Sequence, residues 1–496
     1  MHAGQAFDLR ELQEDVSTCS IFQNAIVELE ALQHMPVDEL EAHASDVVRC
    51  VDAALRRCAA EHAGSGAQTR LPEFLLTVAE VAVSCPALWE ALRGQPYSEL
   101  VLEWLQHVGM WDAHSAASVV HAYGRLVSMR LARKADESLM KVLLAIVLRH
   151  VADLHACEVA DVVSSVATSY DANHVEVFGT IFRPLQQTVA CVAHDMTAQD
   201  VSRTVWAFAT AREQLGRAEG PVLAQVSTTA ASMHAHHVAD VLWALCVMKR
   251  SLGSTESPMI HAVTNVADSM QAPDVASTLH ALSRMKVDLG TAHAPLVKAV
   301  ERVAGSMSAQ DVSNTLRALC TMNADLGVAH EPLVRAVEVV AEHMSARDVQ
   351  STLRTFATIR RGWRDRRQAE QCLLLAAARV ASDLNAAGVA NTLFSLAKMN
   401  VDLSVARGPL LSAIARVAEE MGTEDVSTTL LSCAKLKVAT LIDAQGPLLQ
   451  AAARVAGSMT TNTMWCTLCM QSVPCSCQWG LHMSHCCTPL QGCQSG

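Results

Sequence analysis

Arginine, tryptophan, histidine, asparagine, phenylalanine and lysine fall at matching places in a phrase that this chain repeats. The set is Arg203, Trp206, Trp243, His280, Arg284, Asn314, Arg317, Ser351, Arg354, Asn391, Phe394 and Lys398. Cationic groups neutralise phosphate, planar rings stack on bases, and amides or hydroxyls read base edges. Spread one phrase apart, such residues suit a long contact face rather than a catalytic pocket. No GxSxG, HExxH or P-loop motif occurs. The 21 histidines are scattered, and His236–His237 reads as a surface pair at a helix start rather than a metal site. The expectation is a chain that is not an enzyme, with no cofactor, no metal and no small-molecule substrate.

The phrase is set by a beat of methionine. Met196, Met233, Met270, Met307 and Met344 lie 37 residues apart, and Leu384, Met421 and Met459 continue the beat slightly stretched. A fixed period of this size marks a stacked repeat protein. In the unit that starts at Met307, Ser308 and Asp311 fit a capping box, as do Thr197/Asp200 and Ser345/Asp348. Val312, Leu316, Leu319 and Met322 then form one apolar stripe of a helix. Gly327 suits a helix stop, Pro332 suits the first turn of a second helix, and Leu333, Val337, Val340 and Met344 form a second stripe. These features predict an all-α, right-handed α-solenoid of stacked two-helix repeats.

Four divisions are expected. Residues 1–110 read as an acidic helical N-terminal cap and 111–195 as two degenerate helical repeats. Residues 196–458 hold seven clear repeats, and 459–496 a truncated repeat with a cysteine-rich, disordered tail. The acidic excess lies early: residues 1–195 hold 13 Lys/Arg against 26 Asp/Glu, whereas 196–459 hold 25 against 24. A nucleic-acid binder usually carries a basic field, so this balance argues against RNA without excluding local basic stripes.

The positions three, seven, ten and fourteen after each methionine lie opposite the core stripe. They vary while their neighbours repeat; one column reads Trp206, Trp243, His280, Arg317, Arg354, Phe394, Leu431. Three readings stay open for this face: an RNA-reading surface, a solvated or inter-repeat surface, and a protein-binding groove.

The phrases DVSNTLRALCTM and DVASTLHALSRM resemble the helical repeats of organellar RNA-binding proteins. These are the heptatricopeptide and octotricopeptide types and the leucine-rich helical region of FAST-kinase-like proteins. The resemblance covers roughly residues 110–468; no RAP domain and no PPPxW element accompany it. It implies a non-enzymatic role in organellar RNA metabolism, in transcript stability, processing, editing or translation. The partners it implies are single-stranded RNA and other proteins of an RNA-processing complex. It implies a mitochondrial or plastid location. The alternative is an armadillo- or HEAT-like protein-interaction scaffold.

Two local features stand apart. In TIRRGWRDRRQAEQC, Arg360, Arg361, Arg364, Arg366 and Arg367 surround Trp363, which would suit an RNA backbone or, equally, a solvated charged loop. The tail carries Cys466, Cys469, Cys475, Cys477, His482, His485, Cys486 and Cys487, but without paired CxxC spacing. A disordered or misread end is therefore expected there rather than a zinc site.

Of the 17 cysteines, Cys246, Cys320 and Cys433 fall on core positions, as reduced thiols do. With no signal peptide visible, a reducing intracellular compartment is expected. No apolar run reaches the roughly 18–20 residues of a membrane span. The acidic start, MHAGQAFDLRELQEDV, is unlike a transit peptide, so either there is none or the true N-terminus is missing.

Overall fold

The computed structural model describes residues 51, 73–78, 113–128, 144–145, 147–149, 151–169, 175–358, 366–403, 405–436 and 442–455. These residues are helical or lie in the short joints between helices, and no strand occurs among them. The fold is an all-α solenoid of two-helix repeats, as the periodicity predicts. Most of the expected N-terminal cap and the whole cysteine-rich tail lie outside the described residues.

The chain forms two compact units, 1–262 and 263–496. The first contains α1 (Ala113–Ser128), α2 (Ala156–Ser169), α3 (Val175–Val192), α4 (Ala198–Thr210), α5 (Glu219–Thr229) and α6 (Ala235–Val247). Helix α7 (Glu256–Val266) spans the division. The second contains α8 (Ala272–Met285), α9 (His293–Val303), α10 (Ala309–Thr321), α11 (His330–Val340), α12 (Ala346–Thr358) and α13 (Arg367–Arg379). It continues with α14 (Ala386–Met399), α15 (Arg407–Val417), α16 (Thr423–Lys435) and α17 (Ile442–Val455). In the first unit α1, α2, α4 and α6 pack side by side in sequence order. In the second, α8, α10, α12, α14 and α16 form one layer and α9, α11, α13, α15 and α17 the other.

Local chemistry explains the boundaries. Ser308 Oγ accepts the Asp311 amide at 3.2 Å while Asp311 Oδ2 accepts the Ser308 amide at 3.1 Å, so two otherwise orphaned donors are satisfied at the start of α10. Thr197/Asp200 and Ser345/Asp348 make the same reciprocal pairs. Val312, Leu316 and Leu319 are buried, as are Leu333, Val337 and Met344.

One expected stop is displaced. Helix α10 ends at Thr321 and is closed by Asn323, whose φ is +51°, with the Ala324 amide donating to Leu319 O and the Asn323 amide to Cys320 O. That is a Schellman closure, and an Asn tolerates the left-handed conformation it needs. Gly327, at φ +43°, lies beyond it and opens a 3-10 turn (Gly327–Ala329) that leads into α11. The glycine therefore starts the second helix rather than ending the first.

The second helices α3, α5, α7, α9, α11, α13 and α15 each run into a 3-10 turn, such as Ala304–Ser306, before the extended residue of the beat. Those joints are held by arginines. Arg302 Nη2 donates to Ala267 O at 3.3 Å and to Met270 O at 2.5 Å. Arg416 does the same to Ala381 O and Leu384 O, and Arg454 to Ala418 O and Met421 O. Arg379 donates to Met344 O. The arginines themselves are exposed, but their bonds are part-buried and satisfy carbonyls that helix geometry leaves free.

A buried threonine recurs eight residues after the beat. Thr278, Thr315, Thr352, Thr392 and Thr429 are fully buried, and their Oγ1 atoms have no hydrogen-bond partner among the described residues. In the first unit the equivalent Thr204 Oγ1 lies 3.9 Å from Met196 Sδ, a weak acceptor.

Candidate nucleic-acid interface

The varying columns separate by unit. In the first, Arg203 is not available for an external phosphate: its Nη1 lies 2.6 Å from Asp161 Oδ1. His121 Nδ1 lies 3.5 Å from the same oxygen. Trp206 and Trp243 are half-buried on α4 and α6.

In the second unit the columns gather cations. Arg317 Nη2 donates to His280 Nδ1 at 2.9 Å and to Asn314 Oδ1 at 3.1 Å, which joins α8 to α10 across the outer face. Burial first, and then Arg317, Arg284 and Arg347, together pull the His280 pKa down to about 4. A neutral ring is what an arginine donor requires. Arg317 is itself lowered, first by burial, then by Arg347 and Arg284, against an opposing pull from Asp348. Further along, burial raises the Cys320 thiol while Lys398 and Arg354 oppose that rise. Arg284, Arg317, Arg347, Arg354 and Lys398 thus share one field on α8, α10, α12 and α14.

Among the described residues none of these five cations is held in an ion pair. Asp348, the acid in reach of Arg317, is already engaged: its Oδ2 accepts the Ser345 amide at 3.2 Å and the Ser345 hydroxyl at 2.6 Å. Beside the cations, Ser277, Asn314, Asn391 and Thr428 supply an amide and hydroxyl column, whereas the Ser351 hydroxyl in the same register is buried. Phe394 is 45% exposed on α14, open to a stacking partner.

Arg347 belongs to this field although its type alone does not single it out; its signal is its place three residues after Met344. The basic insertion contributes less than its composition promises. Arg360, Arg361, Trp363 and Arg364 lie outside the described residues. Arg366 Nε is paired with Glu370 Oε1 at 2.8 Å, and Arg367 is exposed at the start of α13.

The near-neutral charge of the repeats is thereby resolved into parts. Arg302, Arg379, Arg416 and Arg454 are engaged with backbone carbonyls at the joints, and Asp200, Asp274, Asp311, Asp348 and Asp425 accept amides at helix starts. The net count averages over these fixed positions and hides the basic outer face of the second unit.

No protein-family model matches this chain, and no curated protein matches it. Among solved structures, one similar chain is described as a "Homology model of the full-length AP-3 complex in an intermediate open conformation". The two share 10% identity over 94% of each chain, with a TM-score of 0.29. Similarity at that level carries no weight for function.

Proposed function

We propose that this helical-repeat protein binds single-stranded RNA through the outer face of α8, α10, α12 and α14. The observation that carries the reading is the shared field of Arg284, Arg317, Arg347, Arg354 and Lys398 beside a column of amides and hydroxyls. Cations without counter-carboxylates attract a phosphate chain, and the adjacent Asn314 and Asn391 offer donors and acceptors to base edges. The resemblance of DVSNTLRALCTM and DVASTLHALSRM to organellar RNA-binding repeats supports the same role in organellar RNA metabolism. The chain acts by binding, and any chemistry on the transcript belongs to a partner.

The test is a titration of the full chain with mixed-sequence single-stranded RNA at two salt concentrations. Binding through five phosphates would give a slope of log K against log salt of about −3.5, at about 0.7 per phosphate. Absence of binding at low salt rejects the RNA reading and leaves the protein-interaction scaffold.

A further inference from the structure

His114, His155 and Glu158 come together at the N-terminal edge of α1 and α2, in the first unit. The sequence hides this cluster, because its two histidines stand about one repeat apart. His114 lies in the first turn of α1. His155 immediately precedes α2, its carbonyl accepting the Val159 amide at 3.0 Å. Glu158 lies in the first turn of α2. One ligand atom from each residue can be chosen such that all three lie within 4.8 Å of one another. The two imidazoles stack with centroids 5.0 Å apart and an interplanar angle of 24°.

We propose that these three side chains form a binding site for a divalent transition cation of the Zn2+ class. The donor set is two imidazoles and one carboxylate, which favours a borderline cation over Mg2+ or Ca2+, whose ligands are oxygens. The carboxylate is oriented from behind: Glu158 Oε2 accepts the His155 amide at 2.8 Å, which leaves Oε1 to face His114. Oε1 now meets His114 Nδ1 at 2.7 Å. Tetrahedral bonds of 2.0–2.1 Å separate ligand atoms by about 3.3 Å. A rotation of His114, whose side chain is 50% exposed, supplies the difference.

The frame beneath is fixed. A Cβ added at Gly124 of α1 would lie 2.4 Å from Ser165 Cβ of α2, so the two helices are in close contact a few turns away. The cation would cross-link two neighbouring first helices and keep its fourth position for water. Its binding stabilises the first unit by mass action.

The chain contains 17 cysteines, so the experiment must separate this site from thiolate ligation. The full chain, stripped with chelator, is titrated with Zn2+ by calorimetry and with Co2+ by absorption. His114→Ala/His155→Ala should bind one equivalent fewer than the unsubstituted chain. Co2+ in that equivalent should show ligand-field bands without sulfur charge-transfer bands. Glu158→Gln, which still offers an acceptor to the His155 amide, should weaken it at least tenfold. Equal stoichiometry and affinity in all three proteins overturns the proposal, as does a Co2+ spectrum showing thiolate ligation of every equivalent. Glu158→Gln keeps the test decisive if the double variant loses helicity.

Discussion

Arg302 in α9 donates to the backbone carbonyl of Met270 at 2.5 Å, and so ties the end of one repeat to the joint at which it began. The same relation recurs at Arg416 with Leu384 and at Arg454 with Met421. A hydrogen bond from a charged donor contributes about 1.5–3 kcal/mol. Arg416→Ala is expected to destabilise the chain by roughly that amount. The urea unfolding midpoint measures it, and Arg416→Lys should recover only part, because an ammonium lacks the guanidinium fork.

The repeat that starts at Met307 lacks the clamp. The residue in register is Val339, which is 70% exposed on α11. Val339→Arg should therefore gain stability by about 1 kcal/mol or more, since the new donor can reach the Ala304 and Met307 carbonyls. An unchanged or lowered thermal midpoint would show that register alone does not define the clamp.

Thr315 makes the opposite case. Its hydroxyl is fully buried and without a partner, a condition that costs about 1–3 kcal/mol. The repeat from Met233 holds Val241 in the same register, also buried. Thr315→Val is expected to be neutral or stabilising in chemical denaturation, unlike most core substitutions.

His237 should give the fold an acid-side limit. Its Nδ1 accepts the His234 amide at 3.3 Å, where other repeats use an aspartate. Burial pulls its pKa down to about 4, with His236, His234 and Arg203 adding to the shift. The unfolded imidazole titrates near 6.5, so between about 6.5 and 4 the unfolded state binds more protons. Stability contributed by the neutral ring is present above 6.5 and is lost as pH falls through that window. His237→Asp should flatten this loss. Urea midpoints at several pH values across the window check the direction.

On the outer face, Arg317→Ala with Arg354→Ala should weaken RNA binding at low salt. The salt slope should fall by about 1.4, at about 0.7 for each phosphate that is no longer neutralised. Arg203→Ala should leave RNA affinity nearly unchanged, because its guanidinium is committed to Asp161. Fluorescence anisotropy on labelled RNA distinguishes the two. Equal weakening in both variants would reject the assignment of the face to the second unit.

The layers were legible because the Val312–Leu316–Leu319 stripe and the Ser308–Asp311 box obey local rules of spacing. The partners of Arg203 and Arg302 were not. One lies in a neighbouring repeat, the other is a backbone carbonyl, and neither leaves a mark on residue type. Arg203 and Arg317 occupy related columns, yet one meets a carboxylate and the other a neutral imidazole. The 3-10 turn at Gly327 was equally hidden, since a glycine with positive φ serves a helix stop and a helix entry alike.

The three-residue insertion before α13 shows what the carbonyl clamp permits. Arg379 still reaches the Met344 carbonyl although the segment between them is longer than in the other repeats. The grip is set by the helices and a backbone oxygen that every amino acid possesses, not by the loop that joins them. The loops between first and second helices can therefore change length and content while the stack keeps its pitch. A duplicated unit would bring both halves of its own joint with it. In such a chain, novelty can accumulate in the connectors without renegotiating the architecture.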